Sequence, residues 1–175
     1  MDNLAVEIAV VVALVAVGGA FNSAEIALIS LRESQVRHLA ETRGPRGRRL
    51  ARLVSDPNRF LAAVQIGVTV ATMLSSAFGA ATIAERVSVP LQRAGLGQTA
   101  AGAVALAAAT LVLAFITLVL GELTPKRLGL QRSESIALLA SGPLTLLAAL
   151  FRPVVWLLGK CTNGAVRILG GDPHQ

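Results

Sequence analysis

Uncharged runs of membrane length set the strongest limit on how this chain can fold. Residues 100–120, which end in "ATLVLAFITLVL", contain no ionisable side chain, and neither do residues 60–84. A third block, residues 4–31, carries two acids within an otherwise apolar sequence. Each block supplies the roughly 20 residues that a helix needs to cross a hydrocarbon core of about 30 Å. The pattern predicts an all-α membrane protein with three transmembrane helices.

Composition supports this fold class. Hydrophobic residues make up 54% of the chain and charged residues 15%, and the mean hydropathy is +0.66. These values are typical of helical membrane proteins rather than of soluble domains. The single cysteine, Cys161, excludes an internal disulfide.

The distribution of arginines predicts the orientation. The segment between the first two spans holds eight of them, whereas the predicted loop at residues 85–99 holds two. By the positive-inside bias, the first loop and the C-terminus are cytoplasmic and the N-terminus lies outside. The net charge of +6 is therefore interpreted as a topology signal, and no nucleic-acid partner is expected. The eight are Arg32, Arg37, Arg43, Arg46, Arg48, Arg49, Arg52 and Arg59.

Local signals divide the segments outside the spans. The sequence "GPRG" predicts two short surface helices, and Asp56 with Pro57 predicts the N-cap and first residue of the second span. Residues 136–158 are apolar but contain Gly142-Pro143 and Arg152-Pro153. These breaks favour a bent segment along the cytoplasmic interface with Trp156 as an anchor, and a fourth span is the alternative.

Polar residues within the spans are candidates for a functional site. With the predicted orientation, six of them fall at one level of the cytoplasmic half: Asn22, Ser23, Glu25, Gln65, Thr69 and Glu122. All offer oxygen, which suits Mg²⁺, Ca²⁺ or Na⁺ rather than zinc or copper. Pro125 is predicted to end the third span and to free backbone carbonyls near Glu122. Thr72, Ser75 and Ser76 are interpreted as helix-contact residues.

A simpler interpretation stays open from these residues alone. Glu25 and Glu122 can be acids at the interface that are either solvated or paired with Lys126 or an arginine, and the hydroxyls can serve only helix packing. The pattern therefore predicts either an ion-handling protein or a packed helical bundle.

Three separated motifs, in order, resemble a known family. They are "FNSAEIALISLRESQVRHLAE", "DPNRFLAAVQIGVTVATMLSSAFGAATIAE" and "GELTPKRLGLQRSESIA". Together they resemble the membrane domain of the CorC and cyclin M proteins, including their hemolysin C-like bacterial relatives. The resemblance implies a homodimer in the bacterial inner membrane, with three spans, short cytoplasmic helices and a belt-like juxtamembrane helix. It also implies Mg²⁺ export coupled to Na⁺ uptake. Enzymatic activity is not expected, because the sequence contains no nucleophile–base pair or catalytic metal motif.

The resemblance also implies a set of site residues. Carried over by position, the cation ligands are Ser23 and Glu122, with Gly67, Thr69 and Gly121 contributing further oxygens. Supporting roles fall to Asn22, Glu25, Gln65, Pro125 and Lys126. Val68 stands where relatives often carry asparagine.

Family members usually continue into cytoplasmic nucleotide-binding regulatory domains. Residues 1–158 are thus expected to be the transport domain and residues 159–175 a tail that leads to such a region. Two other functions stay open: a Mg²⁺ channel or sensor, and a membrane-anchoring dimerisation module for cytoplasmic domains.

Overall fold

A computed structural model describes residues 2–168 of the chain, and the side chains of residues 5–57 and 60–168. Within that part the protein is all-helical, as predicted, and no strand occurs. The elements are α1 (Asp2–Ser30), α2 (Glu33–Thr42), α3 (Gly44–Val54), α4 (Pro57–Arg93), α5 (Gln98–Ile116), a π-helical segment (Thr117–Leu123), α6 (Thr124–Gln131), α7 (Ser133–Leu150) and α8 (Arg152–Ile168).

Three long helical rods form the centre of the fold. The first is α1, the second is α4, and the third rod is the continuous run of α5, the π segment and α6. Close packing is possible because small side chains line the contacts; Ala63, Ala101 and Ala105 are completely buried. The helix α4 extends to Arg93, so the predicted loop of residues 85–99 shrinks to a short turn before α5 begins at Gln98. Gly95, with φ of +99°, lies in this turn, a backbone conformation that side chains with a Cβ rarely adopt.

Four helices, rather than the predicted three, are long and apolar enough to cross a membrane. The additional candidate is α7, which runs through Gly142 and Pro143 without a break. One stripe of α7 is buried against the rest of the fold: Ala137, Ser141, Leu144 and Ala148. The predicted break at Gly142 is therefore wrong, because the helix ends only at Leu150. The second predicted break, at Arg152-Pro153, is confirmed, because a new helix begins at Arg152.

The last helix, α8, is amphipathic and exposed, and it contains Trp156, the predicted interfacial anchor. None of its described residues is buried, Trp156 is 65% exposed, and the Lys160 ammonium lies 5.7 Å from the indole centroid. The helix continues across the predicted division between residues 158 and 159. Residues 169–175 of the predicted tail lie outside the described residues.

The arginine-rich segment folds as the two predicted short helices. They meet closely at Gly47, where only glycine fits because a Cβ would collide with the Leu39 carbonyl. Leu39 and Leu50 are buried in the same apolar cluster as Leu28 of α1. The helix α4 begins at Pro57, as predicted. This packing fixes α3 beside the start of α4 and alongside α7.

Candidate cation site

A polar cavity of about 270 Å³ lies between α1, α4 and the π segment. Seven lining residues have oxygen-bearing side chains: Asn22, Glu25, Gln65, Thr72, Ser75, Thr117 and Glu122. The rest of the lining is the Lys126 ammonium, the backbone at Gly121 and a smaller apolar part, Leu14, Val15, Gly18 and Val68. On α1 and α4 the lining positions recur every three or four residues, which is the spacing of one helical face. The predicted convergence of Asn22, Glu25, Gln65 and Glu122 is thus found in the structure.

The π segment places Gly121 and Glu122 in this cavity. Its last turn closes with the Thr124 N–H donating to the Val119 carbonyl, five residues back. In an α-helix the Gly121 carbonyl would accept from residue 125, but Pro125 has no N–H. The Asn22 side-chain amide donates to that carbonyl instead, at 2.7 Å. Asn22 is only 7% exposed, so this bond ties α1 to the third rod inside the protein.

The prediction that Pro125 ends the helix is wrong. The chain stays helical to Gln131, because proline is tolerated in the first turn of a new α-helical segment. The irregularity occurs before Pro125, as a π segment of seven residues. Such segments often mark functional positions. Here the Gly121 carbonyl lacks the N–H donor that residue 125 would supply in a regular α-helix.

Glu122 pairs with Lys126 one turn later, at 2.6 Å between Oε1 and Nζ. The Lys126 and Glu122 side chains are 35% and 45% exposed. The ion pair between an acid of the spans and Lys126, which the sequence analysis left open, is therefore present. Both residues also line the cavity together with Glu25, so two acids and one ammonium group share this space.

Three of the predicted site residues lie elsewhere. Ser23 lines an apolar cavity against α7, because one residue along a helix turns the side chain by about 100° from Asn22. Gly67 packs against the ring of Phe21, and a Cβ added at Gly67 would lie 2.8 Å from the nearest ring carbons. Thr69 does not line the cavity either. Pro125 contacts Gly19 on α1, which fits its predicted role in shaping the site.

Three hydroxyl residues at the cavity were not predicted as site residues. They are Thr72 and Ser75 on α4 and Thr117 at the start of the π segment. Ser75 is 1% exposed, and its hydroxyl has no hydrogen-bond partner among the described residues. Counting helical turns from Gln65 would have found two of them, since residues 65, 68, 72 and 75 share one face.

The cavity does not resemble a site for a soft transition metal. No group of three or more His, Cys, Asp or Glu side chains that could hold a metal ion occurs within the described part of the chain. The cavity offers two carboxylates together with amide, hydroxyl and backbone oxygens. Such oxygens are the ligands of hard cations.

The fold and the cavity define a class: a multi-pass helical membrane protein with a polar cavity between its helices. Residues 9–175 match the family described as the cyclin M transmembrane N-terminal domain. The chain belongs to this family, which confirms the resemblance to the CorC and cyclin M proteins.

Individual relatives agree with this membership. A UPF0053 protein of Synechocystis sp., sll0260, is 37% identical over 170 residues, which cover 97% of this chain and 38% of the relative. YhdT of Bacillus subtilis is 32% identical over 90% of this chain and 33% of the relative. A protein of Haemophilus influenzae named polyamine export protein is 28% identical, with 90% and 36% covered. The chain thus spans a third to two fifths of the length of these relatives.

Proposed function

We propose that this chain is the membrane domain of a cation exporter that moves Mg²⁺ out of the cytoplasm in exchange for Na⁺. The observation that carries the proposal is the polar cavity, where Glu25 and Glu122 meet neutral oxygens beside a π-helical segment. Ionisable residues inside membrane helices are costly and are usually functional. Non-helical backbone at membrane depth is likewise tolerated where it lines a cavity or an ion path.

In this proposal Glu122 is the principal ligand and Gly121 forms part of the site wall. Asn22 holds the Gly121 carbonyl through its amide nitrogen, and its own side-chain oxygen is the atom it can offer to a cation. Gln65 and Glu25 complete the oxygen set. Mg²⁺ gives up its water reluctantly and keeps several waters in most sites, so a cavity of about 270 Å³ suits a partly hydrated ion. Ser23, Gly67 and Thr69 have no ligand role in this conformation.

The proposal also places the chain in the membrane. α7 is a candidate span by length and composition. However, arginines of α3 line the same cavities as α7 residues between Ser135 and Ala149. Arginine in hydrocarbon is unfavourable by at least about 2.5 kcal/mol per residue. We therefore propose that α7 lies along the cytoplasmic interface of the bacterial inner membrane, while α1, α4 and the third rod cross it. Assembly as a homodimer is part of the same proposal.

Polyamine export is a second candidate cargo function. Two relatives bear that name, from Haemophilus influenzae and Salmonella typhimurium, at 28% and 27% identity. The 2.6 Å contact between the Lys126 ammonium and Glu122 favours it as well, because a polyamine would present the same primary ammonium group to this carboxylate.

Flux through purified protein in liposomes tests both candidates. We expect Mg²⁺ flux that requires an opposing Na⁺ gradient with the membrane potential clamped. Glu122→Gln should abolish it, and Glu41→Gln, which neutralises an exposed acid on α2, should not. Mg²⁺ flux without a Na⁺ requirement would indicate a channel, and spermidine flux without Mg²⁺ flux would indicate a polyamine exporter. No flux of either cargo would favour the anchoring module.

A further inference from the structure

A groove lined by arginines runs between α3 and α7. It comprises two neighbouring cavities, of about 350 and 480 Å³, that have Arg49 in both linings. The four arginines that line them, here called the arginine groove, are Arg43, Arg46, Arg49 and Arg52. Asp56 is the acid in the lining of the first cavity. None of the residues that line the groove also lines the cation site.

Positive charge is in excess in the described lining of this groove, which holds four arginines and one acid, Asp56. The salt bridges found among the described residues join Glu33 with Arg37, Glu7 with Arg86, and Glu122 with Lys126. None of these pairs includes Arg43, Arg46 or Arg49. Adjacent guanidinium groups repel one another, and a planar guanidinium binds phosphate through two parallel hydrogen bonds. The groove is thus electrostatically and geometrically suited to a phosphate group.

The apolar surface beside the groove points to the form in which the phosphate arrives. Leu139 lines the groove and is 80% exposed. Leu146 and Leu150, on the same face of α7, are 73% and 69% exposed. A phosphate bound at Arg46 and Arg49 would therefore lie next to Leu139, the first of these three exposed leucines, here called the leucine stripe. An anionic phospholipid, in which one glycerol bears both the phosphate and two acyl chains, matches both surfaces.

Gly142 contributes the open space on the α7 side. A Cβ at this position would lie 3.3 Å from a guanidinium nitrogen of Arg49, the nearest atom to it. A larger side chain would fill the space between α7 and Arg49 without changing any charge. The groove can therefore be blocked by shape as well as by charge.

We propose that the arginine groove binds the phosphate headgroup of an anionic phospholipid, whose acyl chains lie along the leucine stripe of α7. The inference rests on the interfacial placement of α7, and it is independent of which cation the protein transports. Basic pockets beside membrane helices on the cytoplasmic side are a recurring site for such headgroups. The lipid would hold α3 and α7 together from the membrane side.

The test is a titration of the delipidated, detergent-purified chain with phosphatidylglycerol, followed by native mass spectrometry. Phosphatidylcholine serves as the neutral lipid, and glycerol 3-phosphate as the soluble phosphate. We expect phosphatidylglycerol to bind and the other two to bind at least about tenfold more weakly. Two arginines at the membrane surface contribute about 1 kcal/mol each, so Arg46→Gln with Arg49→Gln should weaken binding about thirtyfold.

Matched variants separate a site from general attraction. Arg37→Gln with Arg48→Gln removes the same charge outside the groove and should weaken binding less than about threefold. Gly142→Leu should weaken it about tenfold with every charge in place. Arg46→Lys with Arg49→Lys keeps the charge and serves as a second variant if the glutamine variant misfolds. It should bind the lipid more weakly than the wild type but more tightly than the glutamine variant.

Several results would overturn the proposal. Equal loss in the two double glutamine variants would mean nonspecific attraction to the basic segment. Equal binding of phosphatidylcholine would remove the role of charge. Binding of glycerol 3-phosphate as tight as that of phosphatidylglycerol would assign the groove to a soluble phosphate. An unaffected Gly142→Leu variant would place the lipid elsewhere.

Discussion

The hydrogen bond between Asn22 and the Gly121 carbonyl should depend on the proline at position 125. Pro125 removes the N–H that would serve this carbonyl in an α-helix, and Asn22 donates to it at 2.7 Å. Asn22→Ala should therefore destabilise the protein strongly when Pro125 is present. In a Pro125→Ala background the new N–H can reach the carbonyl, and the same substitution should matter much less.

The magnitude follows from burial. A buried carbonyl that loses its partner costs about 1–3 kcal/mol in general, and hydrogen bonds between membrane helices average about 0.6 kcal/mol with a maximum near 1.7. We expect Asn22→Ala to lower the free energy of unfolding by about 1.5 kcal/mol. In the Pro125→Ala background the loss should be about 0.5 kcal/mol, which gives a coupling of about 1 kcal/mol. The packing of Pro125 on Gly19 cancels in this comparison.

The assay is reversible unfolding of all four proteins in mixed micelles with a rising fraction of sodium dodecyl sulfate. Ser30→Ala is a suitable control, because the Ser30 hydroxyl bonds a carbonyl of its own helix; it should lose less than about 0.5 kcal/mol. If Asn22→Ala costs the same with proline and with alanine at position 125, the link between Pro125 and the unsatisfied Gly121 carbonyl is refuted.

Three further predictions concern the packing of α6 on α1 and the polar groups of the cavity. Gly129→Ala places a Cβ 2.5 Å from the Ser23 carbonyl oxygen, so it should lower the free energy of unfolding by about 2 kcal/mol in the same assay; Gly102→Ala, where a Cβ meets nothing within 4 Å, should not. Lys126→Gln removes a half-exposed competing cation and should tighten Mg²⁺ binding up to about fivefold by calorimetry; weaker binding would contradict the competition. Ser75→Ala removes an unpaired buried hydroxyl and should leave stability unchanged or raise it by up to about 1 kcal/mol, while Mg²⁺ flux falls; unchanged flux would exclude Ser75 from the ion path.

Much of the fold follows from simple patterns in the sequence. Apolar runs of sufficient length predicted the long helices, and the "GPRG" break predicted the division between α2 and α3. The fourth candidate span was only the alternative in the sequence analysis, because Gly142 and Pro143 have local preferences that favour a break. Burial of the α7 stripe that includes Ala137 and Leu144 overrides those preferences, which are worth less than the packing they oppose.

The site was predicted in part for similar reasons. Helix direction and depth brought Asn22, Glu25, Gln65 and Glu122 together, since all four could be counted along straight helices. Which side of α1 a residue faces depends on its partners, and Ser23 turned out to face α7. The π segment could not be predicted from Pro125 alone, because a missing N–H can be accommodated by a bend, a break or a changed helical pitch.

The most direct test of the cation site is a crystal structure with Mn²⁺ in place of Mg²⁺, using anomalous scattering to locate the ion. Mn²⁺ prefers the same octahedral oxygen coordination. We predict an anomalous peak in the cavity between α1, α4 and the π segment, within bonding distance of the Glu122 carboxylate, and its loss in Glu122→Gln crystals. A peak only outside this cavity, or one that persists in Glu122→Gln, would contradict the assignment.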